Sequence, residues 1–91
     1  MDRLGKEYQV YILQNSEGRY YIGLSRDPWL RLQQHNSGVS HWTRNKGPWK
    51  LVWLSGWLSL TEARRLENNL KRQKGGSGFY SFTGLSRLSG S

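Results

Sequence analysis

Two short runs near the start of the chain alternate side chains at period two. They are Tyr8-Gln9-Val10-Tyr11-Ile12-Leu13 and Arg19-Tyr20-Tyr21-Ile22-Gly23-Leu24. That period is the signature of strands with two distinct faces. Between them lies Asn15-Ser16-Glu17-Gly18, a cluster of turn formers, so the pair predicts a β-hairpin. With Leu13 facing Arg19 across the turn, the antiparallel register sets Tyr11 directly opposite Tyr21 on one face. The pattern then changes. Asp27 suits an N-cap and Pro28 the first helical position, followed by Trp29-Leu30-Arg31-Leu32-Gln33-Gln34-His35-Asn36 and a stop at Gly38. Arg31 and His35 are four apart and project from the same side of that helix.

A polar, basic loop from Val39 to Pro48 leads into Trp49-Lys50-Leu51-Val52-Trp53-Leu54-Ser55. This run is apolar on both faces, as expected of a central strand covered on both sides. Ser59-Leu60-Thr61-Glu62 fits the capping-box pattern and predicts a second helix starting near Ser59 or Thr61 and reaching about Lys74. Ala63, Leu66 and Leu70 form its apolar stripe, and Glu67 occupies the remaining inward slot. Gly75-Gly76-Ser77-Gly78 reads as a flexible segment, and Phe79, Tyr80 and Phe82 after it as aromatics available to fold back. Strand, strand, helix, strand, helix predicts an α+β domain, a small three-stranded antiparallel sheet flanked by helices. The division expected is an extension over 1–7, one domain over 8–85 and a tail over 86–91.

Charge changes the picture more than length does. Fourteen Lys and Arg face six Asp and Glu, a formal net charge of +8. A polyanionic partner follows, and nucleic acid is the commonest. There is no basic amphipathic membrane helix, no run long enough to span a bilayer and no apolar leader, so the expectation is a cytoplasmic protein with no membrane partner. With no cysteine, disulfides and thiolate metal sites are excluded. With only two histidines, a zinc centre is not expected. Five tryptophans and five tyrosines supply both core and surfaces on which bases can stack. The candidate nucleic-acid contacts are Arg26, His41, Trp42, Arg44, Lys46 and Lys71.

Few residues have the chemistry for more than binding. An inward Glu67 needs a partner. That partner is either Arg31 or Arg64 in an ion pair, unless Glu67 is partly exposed at the edge of the stripe, or it is a hard cation such as Mg²⁺, which accepts one or two carboxylates and keeps several waters. Arg31 is either a solvated helix residue or a phosphate clamp. His35 is either a favourable cation near a helix C-terminus or a donor and proton carrier. Tyr11 and Tyr21 are normal strand residues. A phenol becomes useful chemically when cations lower its pKa or when it orients a water, and the candidate cations are Arg31, Arg26 and a bound metal.

In this order and at these spacings, Val10-Tyr11, Tyr21-Ile22-Gly23, Arg31 and Glu67 resemble the GIY-YIG nuclease superfamily. The match is closest to its small single-domain bacterial members and to the nuclease module of UvrC excision proteins, and runs from about Tyr8 to Leu85. His35-Asn36-Ser37-Gly38, Thr43-Arg44, Lys50-Leu51-Val52 and Glu62-Ala63 fall in matching segments. Leu24 stands where UvrC-type modules carry a lysine. The resemblance implies a DNA endonuclease that hydrolyses phosphodiester bonds by in-line water attack and leaves 5′-phosphate and 3′-hydroxyl ends. One divalent cation, Mg²⁺ or Mn²⁺, would sit on Glu67. Tyr11 would act as general base, Tyr21 would position water or phosphate, Arg31 would stabilise developing charge, and His35 would support phosphate or the leaving group. The DNA could be single-stranded or branched, and a protein partner for targeting is left open. The alternative is a non-catalytic nucleic-acid-binding module of the same fold.

Overall fold

A computed structural model describes residues 5–38 and 46–85. The hairpin forms as β1 (Gln9–Asn15) and β2 (Tyr20–Ser25). Helix α1 (Pro28–Asn36) follows, then β3 (Trp49–Leu54), α2 (Leu60–Gln73) and α3 (Ser77–Thr83). The sheet is antiparallel with order β2-β1-β3, which is the expected α+β arrangement.

Local chemistry explains the element starts. Asp27 caps α1 by accepting from Leu30 N at 3.1 Å, with Pro28 next to it. Ser59 and Glu62 form the reciprocal capping box of α2, each side chain bonded to the other's backbone N–H. Each cap satisfies donors that the first helical turn leaves unpaired.

The hairpin register differs from the sequence expectation by two residues. Tyr11 pairs with Gly23, and Leu13 with Tyr21. The turn is tighter than a Leu13–Arg19 pairing, which would leave five residues in the loop. Asn15 N donates to Arg19 O at 3.0 Å, leaving Ser16-Glu17-Gly18 as a three-residue loop. Gly18 takes the positive-φ position (84°) that such loops need. The Asn15 side chain accepts from both Glu17 N and Arg19 N and locks that conformation. Because the shift is even, Tyr11 and Tyr21 keep the same face but lie diagonally.

A second expectation is also corrected. The central strand is β1, buried from Val10 to Asn15, and β3 is at an edge. The apolar character of β3 reflects cover on both faces instead of a central position. Leu51 packs toward Tyr11 and Leu13, whereas Val52 and Trp53 pack on the other layer. One layer joins Val10, Ile12 and Ile22 to Ala63 and Leu70 of α2 and Phe79 of α3. The other joins Tyr11, Leu13 and Trp49 to Tyr21 and to Leu32 of α1. Of the segment expected to be flexible, Ser77-Gly78 open the third helix instead, and the aromatics after it fold back as expected: Phe79 has no exposed surface, and Phe82 leans on Trp53 with ring centroids 5.8 Å apart. Among the described residues no helix is long and apolar enough to cross a membrane.

Candidate active site

The Tyr11 ring lies across the backbone of Gly23. A Cβ at position 23 would stand 2.6 Å from Tyr11 Oη, so only glycine leaves room for the phenol. This close approach accounts for glycine in a strand interior. Tyr11 is buried, and its hydroxyl meets His35 Nε2 at 3.1 Å. Tyr21 completes the cluster, with centroids 6.3 Å from Tyr11 and 4.6 Å from His35. Helix α1 supplies His35 and, one turn earlier, Arg31, whose guanidinium donates to Gln34 Oε1 at 2.5 Å. A bidentate amide clamp fixes the far end of α1 to β3: Asn36 donates to Trp49 O at 2.9 Å and accepts from Trp49 N at 2.6 Å.

Burial dominates the electrostatics. It pushes the Tyr11 hydroxyl up to about 12; Arg31 pulls the other way, while Tyr21 and the Glu67 carboxylate add to the rise. Burial lowers His35 to about 4, helped by the Arg31 charge, so the imidazole is neutral at physiological pH. The Tyr11–His35 contact therefore joins two neutral groups.

Glu67 sits in the inward row of α2, 8% exposed. Its ion pair is with Lys71 at 3.2 Å, one turn along the same helix, and not with Arg31 or Arg64. Although α2 covers the opposite layer, the Glu67 charge acts on the Tyr11 hydroxyl. Among the described residues no three His, Cys, Asp or Glu converge, so the one protein ligand on offer is the mostly buried Glu67 carboxylate, and a hard cation held there would keep most of its waters.

The candidate contacts separate in space. Lys46 and Lys71 line a cleft of about 870 Å³ beside Tyr21 and Trp49, together with Arg19, Lys74 and Tyr80. Lys74 reaches over the outer edge of β2 to donate to Tyr20 O at 3.1 Å. Arg26 does not join the cations around Tyr11; it lies 5.2 Å over the Tyr8 ring and 3.7 Å from Glu7. Position 24, where a cation was missing from the pattern, is Leu24, packed against the α2-side core. His41, Trp42 and Arg44 lie outside the described residues. Sequence reasoning missed Arg19, Lys74 and the Asn36 clamp. Lys74 was findable, because it stands three positions beyond the candidate Lys71 and so on the same side of the helix. Glu62, held near 2 by the Ser59 backbone bond and Lys6, is explained by capping and is no part of the site.

A model described as the GIY-YIG catalytic domain matches residues 7–79. A UPF0213 protein of Streptococcus pneumoniae is 42% identical over 66 residues, covering 71% of this chain and 67% of its own. A UPF0213 protein of Aeromonas salmonicida is 41% identical over 68 residues, 74% of this chain, and this chain spans only 50% of its length. A rat protein named structure-specific endonuclease subunit SLX1 is 39% identical over 74 residues, 71% of this chain and 27% of its own. Tyr11 over Gly23, Tyr21 beside it, the arginine and histidine of α1 and the inward glutamate of α2 stand within a matched region that takes in nearly the whole fold, and the chain belongs to the GIY-YIG family of nuclease domains.

Proposed function

We propose that the protein is a divalent-metal-dependent endonuclease that hydrolyses phosphodiester bonds in DNA by in-line attack of water. The observation that supports this reading is the buried Tyr11–His35 contact beside Tyr21, with the charges of Arg31 and Glu67 both acting on the Tyr11 hydroxyl. Glu67 would hold Mg²⁺ or Mn²⁺, which supplies neutralisation of phosphate charge. Phosphoryl transfer needs positioning and charge stabilisation more than a covalent nucleophile, and this chain offers both. Arg31 binds a non-bridging phosphate oxygen and stabilises charge developing there. Tyr21 orients phosphate or water from the adjoining strand. With a pKa near 12, Tyr11 works as a neutral phenol. Through its contact with His35 it can take the proton of the attacking water on Oη while passing its own proton to Nε2. The relay requires the tautomer whose Nε2 carries no proton, and the imidazole is uncharged beforehand.

The test uses labelled single-stranded, duplex and branched DNA, and RNA, each with Mg²⁺ and with EDTA. Wild type cleaves DNA only with the metal. Glu67→Ala abolishes cleavage and leaves DNA binding within a few-fold, because the change adds no negative charge. Cleavage at the wild-type rate by Glu67→Ala overturns the assignment of the carboxylate. Binding without cleavage by wild type under every metal favours the non-catalytic module.

A further inference from the structure

We propose that the cleft along the outer edge of β2 is a binding site for one or two unpaired nucleotides, whose bases rest on its tyrosines and whose phosphates lie among its cations. The proposal deepens the nuclease reading and rests on it for the position of the phosphate to be cut.

Charge, size and continuity support it. Among the described residues the cleft is lined by Arg19, Lys46, Lys71 and Lys74 and by no carboxylate, although Glu17 pairs with Arg19 at 3.5 Å and Glu67 with Lys71 at 3.2 Å just outside it, so its ligand is anionic. Its volume, about 870 Å³, falls in the range of sites that enclose a molecule of a few hundred daltons. Duplex recognition works the other way round: a protein element enters a groove about 12 Å or 6 Å wide. A concave site of this size takes in a thin strand. Its walls carry the half-buried rings of Tyr21 and Tyr80, the kind of flat surface on which bases stack whatever their identity.

Continuity with the active site comes from two shared side chains. Tyr21 lines the cleft and also packs on His35 at 4.6 Å. Lys71 lines the cleft and also pairs with Glu67 at 3.2 Å. A strand seated in the cleft therefore passes directly to the phenol and carboxylate. Lys74 and Arg19 lie away from those groups and are the residues to change. Both side chains are exposed, and glutamine at position 74 can still donate to Tyr20 O.

The experiment measures binding by fluorescence anisotropy in EDTA, where no cutting occurs. The probes are fluorescein-labelled octathymidylate, the same backbone with abasic sites, an octauridylate, and a duplex closed at both ends by interstrand cross-links so that it has no unpaired nucleotide. Octathymidylate binds at least tenfold tighter than the closed duplex and at least fivefold tighter than the abasic strand, following the ordinary worth of base stacking on an aromatic ring. The double variant Arg19→Gln/Lys74→Gln, confirmed folded by circular dichroism, loses roughly tenfold in octathymidylate affinity. Its salt slope falls by about 1.4, the share of two phosphate contacts on a single strand. The octauridylate separates DNA from RNA as the source of the strand. Equal or tighter binding of the closed duplex, an abasic strand bound as well as octathymidylate, or an unaltered double variant each overturns the proposal. Those results with Mg²⁺-dependent cleavage intact leave the nuclease reading standing. The expected binding pattern with no cleavage under Mg²⁺ or Mn²⁺ overturns the nuclease reading and leaves the cleft.

Discussion

Replacing Gly23 by alanine adds one methyl group at the most crowded point of the site. That carbon would stand 2.6 Å from Tyr11 Oη and 2.7 Å from Cζ, where ordinary carbon contacts are about 3.5–4.0 Å. The ring must yield by roughly 1 Å to restore normal contact. It has little freedom to do so, since Tyr11 is 1% exposed and tied to His35. Overpacking of this kind costs about 1–3 kcal/mol. For a domain of this size that corresponds to a fall in Tm of roughly 4–20 °C. A displacement of about 1 Å at a reacting group costs on the order of 10²-fold in rate. Thermal unfolding followed by circular dichroism measures the first effect, and single-turnover cleavage of labelled DNA the second. A double-mutant cycle identifies the cause. In a Tyr11→Leu background the clash is gone, so Gly23→Ala should become at least about 1 kcal/mol less costly than in wild type. An equal cost in both backgrounds, or a wild-type Tm and rate for Gly23→Ala, refutes the contact as the reason for glycine.

Arg31→Ala should lower the cleavage rate by about 10²–10³-fold, the usual worth of one donor aimed at developing charge, with DNA affinity held within about threefold; equal losses in both would make Arg31 a plain phosphate contact. Stability should fall with acid between about pH 6.5 and 4, because the unfolded chain protonates His35 at its ordinary pKa while the folded chain resists until about 4. The effect is at most about 3 kcal/mol, and denaturant unfolding of His35→Gln across that window should show a flatter profile than wild type. Phe79→Ala should cost about 3–5 kcal/mol in chemical denaturation, since the ring is wholly enclosed by the α2-side core; a cost under 1 kcal/mol would mean that α3 adds little to the fold.

What could be read in the sequence depended on how local its cause was. The starts of α1 and α2 were legible because Asp27-Pro28 and Ser59 with Glu62 act within one helical turn. The face shared by Tyr11 and Tyr21 was legible because strand parity survives an even shift. The register itself was not, since it depends on Asn15 accepting two backbone bonds and on Gly18 at positive φ. Helix α3 escaped notice because its glycines oppose a helix, while the burial of Phe79 outweighs that preference. The position of β3 was misread because apolar character on both faces reports covering layers and not neighbours in the sheet. Of the candidates Tyr11, Tyr21, Arg31, His35 and Glu67, the contacts bring Tyr11, Tyr21 and His35 together. The neutral state of the Tyr11–His35 pair was not legible, because desolvation is a property of the packed interior.

The three-residue turn also has a kinetic consequence. Tyr11 and Tyr21 are only ten positions apart, so bringing them together requires a short loop closure, and hairpins of this kind form in about 1–10 μs. Glu67 lies far along the chain and arrives only when α2 docks, a contact with a larger closure entropy. The expected order of assembly is therefore phenols first and carboxylate last. A chain that has lost its α2 packing would retain a tyrosine hairpin without its acidic partner.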